Sequence, residues 1–126
     1  MGNFDLHYKK IIESVKLLSI SNSEDVLSDF FQAFEDIPFE IMDTYLNAFL
    51  LSPELIENEY FSFANVANLI RLNNLISIFL IDPNIQQKEM QELLECKQWL
   101  IIMGIAKEIL KELDIPSNSL PDKNFI

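Results

Sequence analysis

Cysteine, glycine and histidine are scarce in this sequence, and each scarcity excludes a class of protein. The chain has one cysteine, Cys96, so no disulfide can form within it. Two glycines and five prolines are too few for a loop-rich or low-complexity chain. The single histidine, His7, leaves no set of partners for a Ser–His–Asp or Cys–His nucleophile. Because Cys96 lies in a helical pattern, we interpret it as a small apolar side chain in a reducing compartment.

Motifs that hold metals or phosphate groups are also missing. A di-metal carboxylate bundle needs Glu-x-x-His on two helices, and a calcium loop needs acids at alternate positions around a glycine. Neither Gly2 nor Gly104 has such a setting or belongs to a phosphate-binding loop. We therefore expect no catalytic residues, no metal and no cofactor. An enzyme that uses clustered carboxylates with a metal is the minor alternative.

Long hydrophobic runs are absent as well. The most apolar run, Leu75–Ile81, is interrupted by Ser77, and a membrane-spanning helix needs about 20 apolar residues. The N-terminal stretch MGNFDLHYKK has no apolar run behind a basic start, so it does not resemble a signal peptide. These features predict a cytoplasmic protein without a membrane partner.

The sequence does have many apolar residues at helical spacing. Hydrophobic residues make up 49% of the 126 residues, including ten Phe, which is enough for the core of one domain. No strand-like alternation or internal repeat interrupts the helical period. We predict an all-α, single-domain bundle of six or seven helices over residues 1–126, with an extended tail over 114–126.

In the first half of the chain, apolar faces and start signals define three helices. The first has its apolar face between Phe4 and Leu18. Ser21 and Glu24 form a capping box for a second helix over about 23–37. Pro38 ends that helix and opens a third one, whose inner face includes Tyr45.

In the middle of the chain, Ser52 and Ser62 are the predicted N-caps of two further helices. The helix after Ser62, over about 63–81, is apolar on most sides, so we expect it to be the central helix of the bundle.

The C-terminal part of the chain has a helical pattern whose apolar face moves around the axis. From Ile85 to Leu113 no residue forces a break. This pattern predicts one long C-terminal helix whose halves touch different neighbours, or a kink near Trp99 to Gly104. We expect Trp99 to lie in the core and Gly104 to allow the close approach of a neighbouring helix.

Positive charge is absent from a long stretch of the chain. No Lys, Arg or His lies between Lys16 and Arg71, and the net charge is −11. Solubility needs a net charge of only about 2–8 in magnitude, so this excess predicts an acidic surface for a basic protein partner. It disfavours direct nucleic acid binding. A solvated face without a partner is the alternative. The acids in the stretch are Glu24, Asp25, Asp29, Glu35, Asp36, Glu40, Asp43, Glu54, Glu57 and Glu59.

Aromatic residues follow this acidic stretch in the segment ENEYFSF, residues 57–63. Tyr60 and Phe61 are candidate anchors for a partner, because aromatic side chains carry much of the binding energy at protein interfaces. The alternative is that both rings close over the core at the start of a helix. We include Tyr60 with the ten acids in the candidate partner-binding set.

In size, acidity, helical class and lack of catalytic groups, the sequence resembles small bacterial toxin-immunity proteins of the colicin-nuclease or contact-dependent-inhibition type. The acidic faces from Glu24 to Glu59 and Tyr60 carry this resemblance, which is one of type across the chain. It implies a non-catalytic inhibitor that occludes one cognate toxin, often a nuclease. Two alternatives stay open: a helical homodimer, favoured by the shifting apolar face of residues 85–113, and a phage-type inhibitor that mimics nucleic acid.

Overall fold

The computed structural model describes residues 3–21, 37–116 and 119–122. In these residues the chain forms seven helices and no strand, which confirms the predicted all-α class. The second predicted helix lies outside the described residues, except for Ile37, as does Glu24 of the capping box. The helices are α1 (Asn3–Ser19), α2 (Ile37–Phe49), α3 (Ser52–Glu57), α4 (Phe63–Ile81), α5 (Pro83–Gln86), α6 (Met90–Glu95) and α7 (Lys97–Glu112).

The central helix of the bundle is α1. It packs against α2, α3 and α7, and five consecutive residues, 11–15, are buried. A helix turns once in 3.6 residues, so five buried residues in a row need neighbours on every side. The prediction that the helix over 63–81 is central is therefore wrong. That helix, α4, buries one face and leaves Ile78 and Ile81 exposed.

Helix α2 has the predicted inner face. Ile41, Met42 and Tyr45 are buried, whereas Asp43 and Asn47 are exposed. The hydroxyl of Tyr45 donates a hydrogen bond of 2.7 Å to the backbone oxygen of Leu69, which ties α2 to α4. Burial in this position raises the pKa of the Tyr45 phenol far above its ordinary range.

The two predicted N-caps have different outcomes. Ser62 caps α4 as predicted, since its side-chain oxygen accepts a hydrogen bond of 3.2 Å from the backbone N–H of Asn65. Ser52 does not cap α3, because it is already the first helical residue and is buried. A cap must lie outside the helix to reach the free N–H groups of the first turn. Leu51 precedes the helix and makes no side-chain cap bond.

Residues 85–113 do not form the one long helix that the pattern predicts, because α5 ends at Gln86, α6 covers Met90–Glu95 and α7 covers Lys97–Glu112. The break at Cys96 lies three residues before the predicted kink region. Cys96 has extended backbone angles, φ −72° and ψ 156°, and separates α6 from α7. Helix α6 packs against α2, whereas α7 packs against α1 and α4, which explains why the apolar face moves. The role expected for Gly104 is wrong, because Gly104 is exposed and no atom lies near its missing side chain.

Two polar ties connect distant parts of the chain to α1 and the turn after it. The indole N–H of Trp99, which is buried as predicted, donates a 2.8 Å hydrogen bond to the hydroxyl of Ser21. The carboxylate of Glu13, 2% exposed, accepts a 2.9 Å hydrogen bond from the backbone N–H of Asp122. Lys16 pairs with the same carboxylate at 2.9 Å. The described part of the tail therefore docks on α1.

Helix α4 has the length and apolar composition of a membrane-spanning helix, and 28% of the relevant window is buried. A single helix of this kind is weak evidence for a membrane span. Leu69, Leu72 and Ile76 of its inner face are fully buried against the rest of the bundle. The expected location in the cell stays a prediction.

Candidate functional site

Six of the eleven candidate residues can be placed in the structure. They are Glu40, Asp43, Glu54, Glu57, Glu59 and Tyr60. The other five, which are Glu24, Asp25, Asp29, Glu35 and Asp36, lie outside the described residues.

Glu40 and Asp43 lie in the first half of α2. Asp43 is exposed and accepts a 3.3 Å hydrogen bond from the side-chain amide of Asn47, and Glu40 is half-buried. Carboxylates near the start of a helix are stabilised by the partial positive charge of its free N–H groups. The position of Glu40 therefore has a sufficient structural reason. We do not include this pair in the site below.

Glu54 and Glu57 lie on the exposed side of α3. They are three residues apart, so their side chains are neighbours on one face, where like charges repel. Leu55, fully buried, holds the opposite side of this short helix in the core, and α3 packs on α1. The core contact thus fixes which side of α3 faces solvent.

The turn after α3 holds Glu59 in a strained conformation. The N–H of Tyr60 bonds to the oxygen of Leu55 at 3.0 Å, and the N–H of Glu59 bonds to the oxygen of Ile56 at 3.1 Å. These two bonds form a Schellman motif, in which the residue after the C-cap is left-handed and is usually glycine. Here that residue is Glu59, with φ 60°. A non-glycine residue in this region costs about 1–2 kcal/mol, so Glu59 occupies this position against the backbone preference.

Tyr60 joins the α3–α4 turn to the start of α1. Its ring centroid lies 5.5 Å from that of Tyr8 and 6.3 Å from that of Phe4. Its hydroxyl donates a 3.2 Å hydrogen bond to the carboxylate of Asp5. Tyr60 is half-buried, so part of this residue remains accessible to a partner. Phe61 is only 7% exposed and fills the core, which excludes it as an anchor.

The Asp5–Tyr60 contact can be tested by titration. Desolvation raises the pKa of the Tyr60 phenol, and the hydrogen bond to Asp5 and the charge of Asp5 raise it further. We expect Asp5→Asn to lower the pKa of Tyr60, while desolvation still holds it above the ordinary value. Absorbance of tyrosinate against pH measures this change, with Tyr60→Phe to assign the transition. Tyr8, whose pKa is raised by desolvation alone, is the internal control. An unchanged pKa of Tyr60 in Asp5→Asn would contradict the contact.

We call Asp5, Glu54, Glu57, Glu59 and Tyr60 the Tyr60 surface. All four acids are exposed, and none forms an ion pair with another described residue. They lie near one another because the three glutamates are within six residues of Tyr60, whose hydroxyl contacts Asp5. The arrangement combines unpaired negative charge with one fixed aromatic ring.

Two exposed residues that the sequence analysis did not select are Asp5, which contacts Tyr60, and Phe63. Asp5 joins the surface only through the tertiary packing of α1, so no local signal could identify it. Phe63 is 95% exposed. Its exposure could be predicted from the helical period, because that period places Phe63 on the side of α4 opposite the buried Leu69 and Ile76. The apolar character of the helix on most sides concealed this exposed face.

No arrangement for metal binding is found in the described part of the chain, where no group of three or more His, Cys, Asp or Glu side chains is close enough to hold an ion. Two buried polar atoms there lack a hydrogen-bond partner, Nδ1 of His7 and Oδ1 of Asn65. Asn65 donates a long 3.4 Å bond to the oxygen of Ile109, so it links α4 to α7. Neither atom belongs to the Tyr60 surface.

The chain was compared with protein-family models, curated proteins and solved structures, and none of them matches it.

Proposed function

We propose that this protein is a non-catalytic inhibitor that binds a basic protein through the Tyr60 surface. The kind of protein that fits is a small acidic immunity protein, which neutralises a cognate toxin in the cytoplasm of the bacterium that makes it. The observation that carries the proposal is the group of exposed acids without ion-pair partners among the described residues around Tyr60.

The charges of this surface favour association with a cation-rich partner. Exposed charges of one sign steer an oppositely charged protein and raise the association rate constant to about 10⁸–10⁹ M⁻¹s⁻¹ at low salt. The same charges repel one another in the free protein, and Glu59 adds backbone strain. A partner that neutralises these acids removes the repulsion.

Tyr60 supplies the short-range part of the contact. Its ring is fixed by Tyr8 and Phe4, and its hydroxyl is held by Asp5. A ring that is already ordered loses little conformational entropy on binding, and tyrosine is enriched among the residues that dominate interface energies. Charge would therefore set the rate of encounter, and Tyr60 would contribute to the lifetime of the complex.

A nuclease is the toxin class that this chemistry favours. Proteins that bind DNA or RNA have basic clefts, because phosphate groups must be neutralised there. An acidic protein without phosphodiester bonds can occlude such a cleft without being cleaved. A phage-type inhibitor that mimics nucleic acid would use the same surface. Inhibition of many unrelated nucleases would favour that second class, and inhibition of a single one would favour an immunity protein.

The first experiment measures binding against salt. The purified protein is titrated against a panel of basic nucleases, including any toxin encoded beside its own gene, and the association rate constant and Kd are followed from low to high salt. We expect binding to one nuclease, with an association rate that falls as salt screens the surface charges. Binding that is independent of salt would contradict the role of the acids.

A matched pair of variants separates the effect of charge from that of stability. Glu59→Gly and Asp114→Gly each remove one carboxylate from a left-handed position of the same motif, since Asp114 has φ 56° in the turn after α7. Both should stabilise the fold by about 1 kcal/mol. Glu59→Gly should slow association about two- to fivefold, and Asp114→Gly should slow it less. Equal effects of the two variants would place the binding surface elsewhere.

A further inference from the structure

The outer side of α4 is an exposed stripe at coiled-coil spacing. Its positions alternate by four and three residues, which is the a/d pattern of a heptad seam. Four large apolar residues lie on this side and are exposed: Phe63 (95%), Ile70 (45%), Ile78 (62%) and Ile81 (75%). Every seam position faces solvent, and we call this set the α4 seam: Phe63, Ala67, Ile70, Asn74, Ser77 and Ile81.

The α4 seam is almost free of charge. Arg71 is the only charged residue between Phe63 and Ile81, and α4 contains no acid, although the chain carries a net charge of −11. Arg71 contacts the side chain of Asn68 at 3.0 Å on its own helix. Two copies of this chain carry net charges of the same sign and repel one another, and α4, which contains no acid, lets them approach without adding to that repulsion.

We propose that α4 is the interface between two copies of this chain, paired antiparallel about a two-fold axis at the level of Leu72. In an antiparallel coiled coil, each a position of one helix faces a d position of the other. A two-fold axis at Leu72 pairs every residue of the α4 seam in this way. It also places Arg71 opposite the uncharged Asn73, so the one cation meets no like charge. The facing pairs are Phe63 with Ile81, Ala67 with Ser77, and Ile70 with Asn74.

The same axis gives Phe63 a partner surface at the opposite end of α4. A shallow groove of about 90 Å³ lies between α4, α5 and α7, and its lining includes Ile78, Ile85 and Ile101. Phe63 of one copy, which lies opposite Ile81, would reach the rim of this groove on the other copy. An isologous dimer makes each such contact twice.

The size of the face agrees with a dimer. The 19 residues of α4 span about 28 Å at 1.5 Å per residue, and α4 with the adjoining edge of α7 is about 20 Å wide. A standard interface buries about 800 Å² per partner, which is of this order. The small residues Ala67 and Ser77 at one layer allow the helices to approach closely, and Asn74 is a polar seam residue of the kind that fixes register.

Sedimentation equilibrium of the whole chain at micromolar and sub-millimolar concentrations tests the proposal. We expect a mass of twice 14.7 kDa, with a dimer that becomes stronger as salt screens the repulsion between copies. Binding to a basic toxin should weaken with salt, so the two interactions are distinguishable by sign. A monomer at all concentrations would overturn the proposal, whatever the outcome for the Tyr60 surface.

Two variants of the α4 seam have a matched control. Ile70→Lys places both new charges near the two-fold axis, and Ile81→Lys places one new charge at each end of the interface. Each variant should weaken the dimer about 30-fold or more, as for an interface hot spot. Leu100→Lys is the control, because Leu100 is 50% exposed on α7 and does not line the groove. Circular dichroism checks folding. Equal loss in the control, or no loss in either seam variant, would overturn the proposal.

Directed cross-linking tests the antiparallel arrangement. In a Cys96→Ser background, chains with Ala67→Cys are mixed with chains with Ser77→Cys under oxidising conditions. We expect a disulfide-linked dimer in the mixture and none with either chain alone, because two copies of residue 67 would lie about 15 Å apart along the axis. Cross-linking of residue 67 to itself would overturn it. A monomer that binds phosphatidylcholine vesicles would also overturn it and would assign the face to a lipid surface.

Discussion

Replacing Trp99 with alanine is expected to lower the free energy of unfolding by about 3–5 kcal/mol, the usual cost of removing a buried aromatic side chain. Trp99 is fully buried, its ring lies 5.6 Å from that of Phe79, and its indole N–H bonds to Ser21. Alanine leaves a cavity between α1, α4 and α7 and removes the bond to the turn after α1. Since small domains are stable by only about 5–15 kcal/mol, the variant would be close to unfolding at physiological temperature.

Urea or thermal denaturation followed by circular dichroism measures this effect. Leu100→Ala is the control on the neighbouring residue, because Leu100 is half exposed and its truncation should cost less than about 1 kcal/mol. Ser21→Ala removes this hydrogen bond and also the 2.6 Å bond that the Ser21 hydroxyl donates to the backbone oxygen of Leu18, each worth about 1 kcal/mol. Similar losses in Trp99→Ala and Leu100→Ala would show that the core is not organised around Trp99.

The second large effect is expected from Lys16→Met, at about 3 kcal/mol of destabilisation. The ammonium group of Lys16 lies 2.9 Å from one oxygen of Glu13 and 3.2 Å from the other. The side chains of Glu13 and Lys16 are only 3% and 19% exposed. Removing the cation leaves a carboxylate buried with one described donor, the backbone N–H of Asp122. An uncompensated buried charge costs more than the pair itself contributes.

A double-mutant cycle distinguishes the pair from its members. Glu13→Gln with Lys16→Met should cost less than the sum of the two single changes, because no unpaired charge remains. Lys10→Met is the control, since Lys10 is exposed on the same helix and its loss should change stability by less than about 0.5 kcal/mol. If Lys16→Met were as mild as Lys10→Met, solvent would have to reach Glu13.

The inner faces of the helices are predictable because each depends only on local spacing. The helical period places Tyr45 and Trp99 in the core, and both are fully buried. The same period places Phe63 and Ile81 on the outer side of α4, but their apolar character suggests burial. Periodicity tells which residues share a face, whereas the number of neighbouring helices decides whether that face is covered.

The features that the sequence conceals depend on tertiary contacts. The break at Cys96 has no Gly or Pro to signal it. The chain bends there because α6 packs on α2, whereas α7 packs on α1 and α4. The turn at Glu59 lacks the glycine by which a Schellman motif is recognised. The exposure of the acids can be predicted because charged side chains stay in water. The contact between Asp5 and Tyr60 cannot be predicted in this way, because the two residues are 55 positions apart in the sequence. Local patterns contain no information about such a meeting.

The central position of α1 has a consequence for synthesis of the chain. Helix α1 leaves the ribosome before α7, on which it packs, and Ser21 bonds to Trp99, which is made 78 residues later. At about 5–20 residues per second, the apolar sides of α1 remain without their final neighbours for on the order of ten seconds. During that interval Ile11, Val15 and Leu18 are open to chaperones and to other nascent chains. The packing around α1 is therefore complete only after α7 has been made.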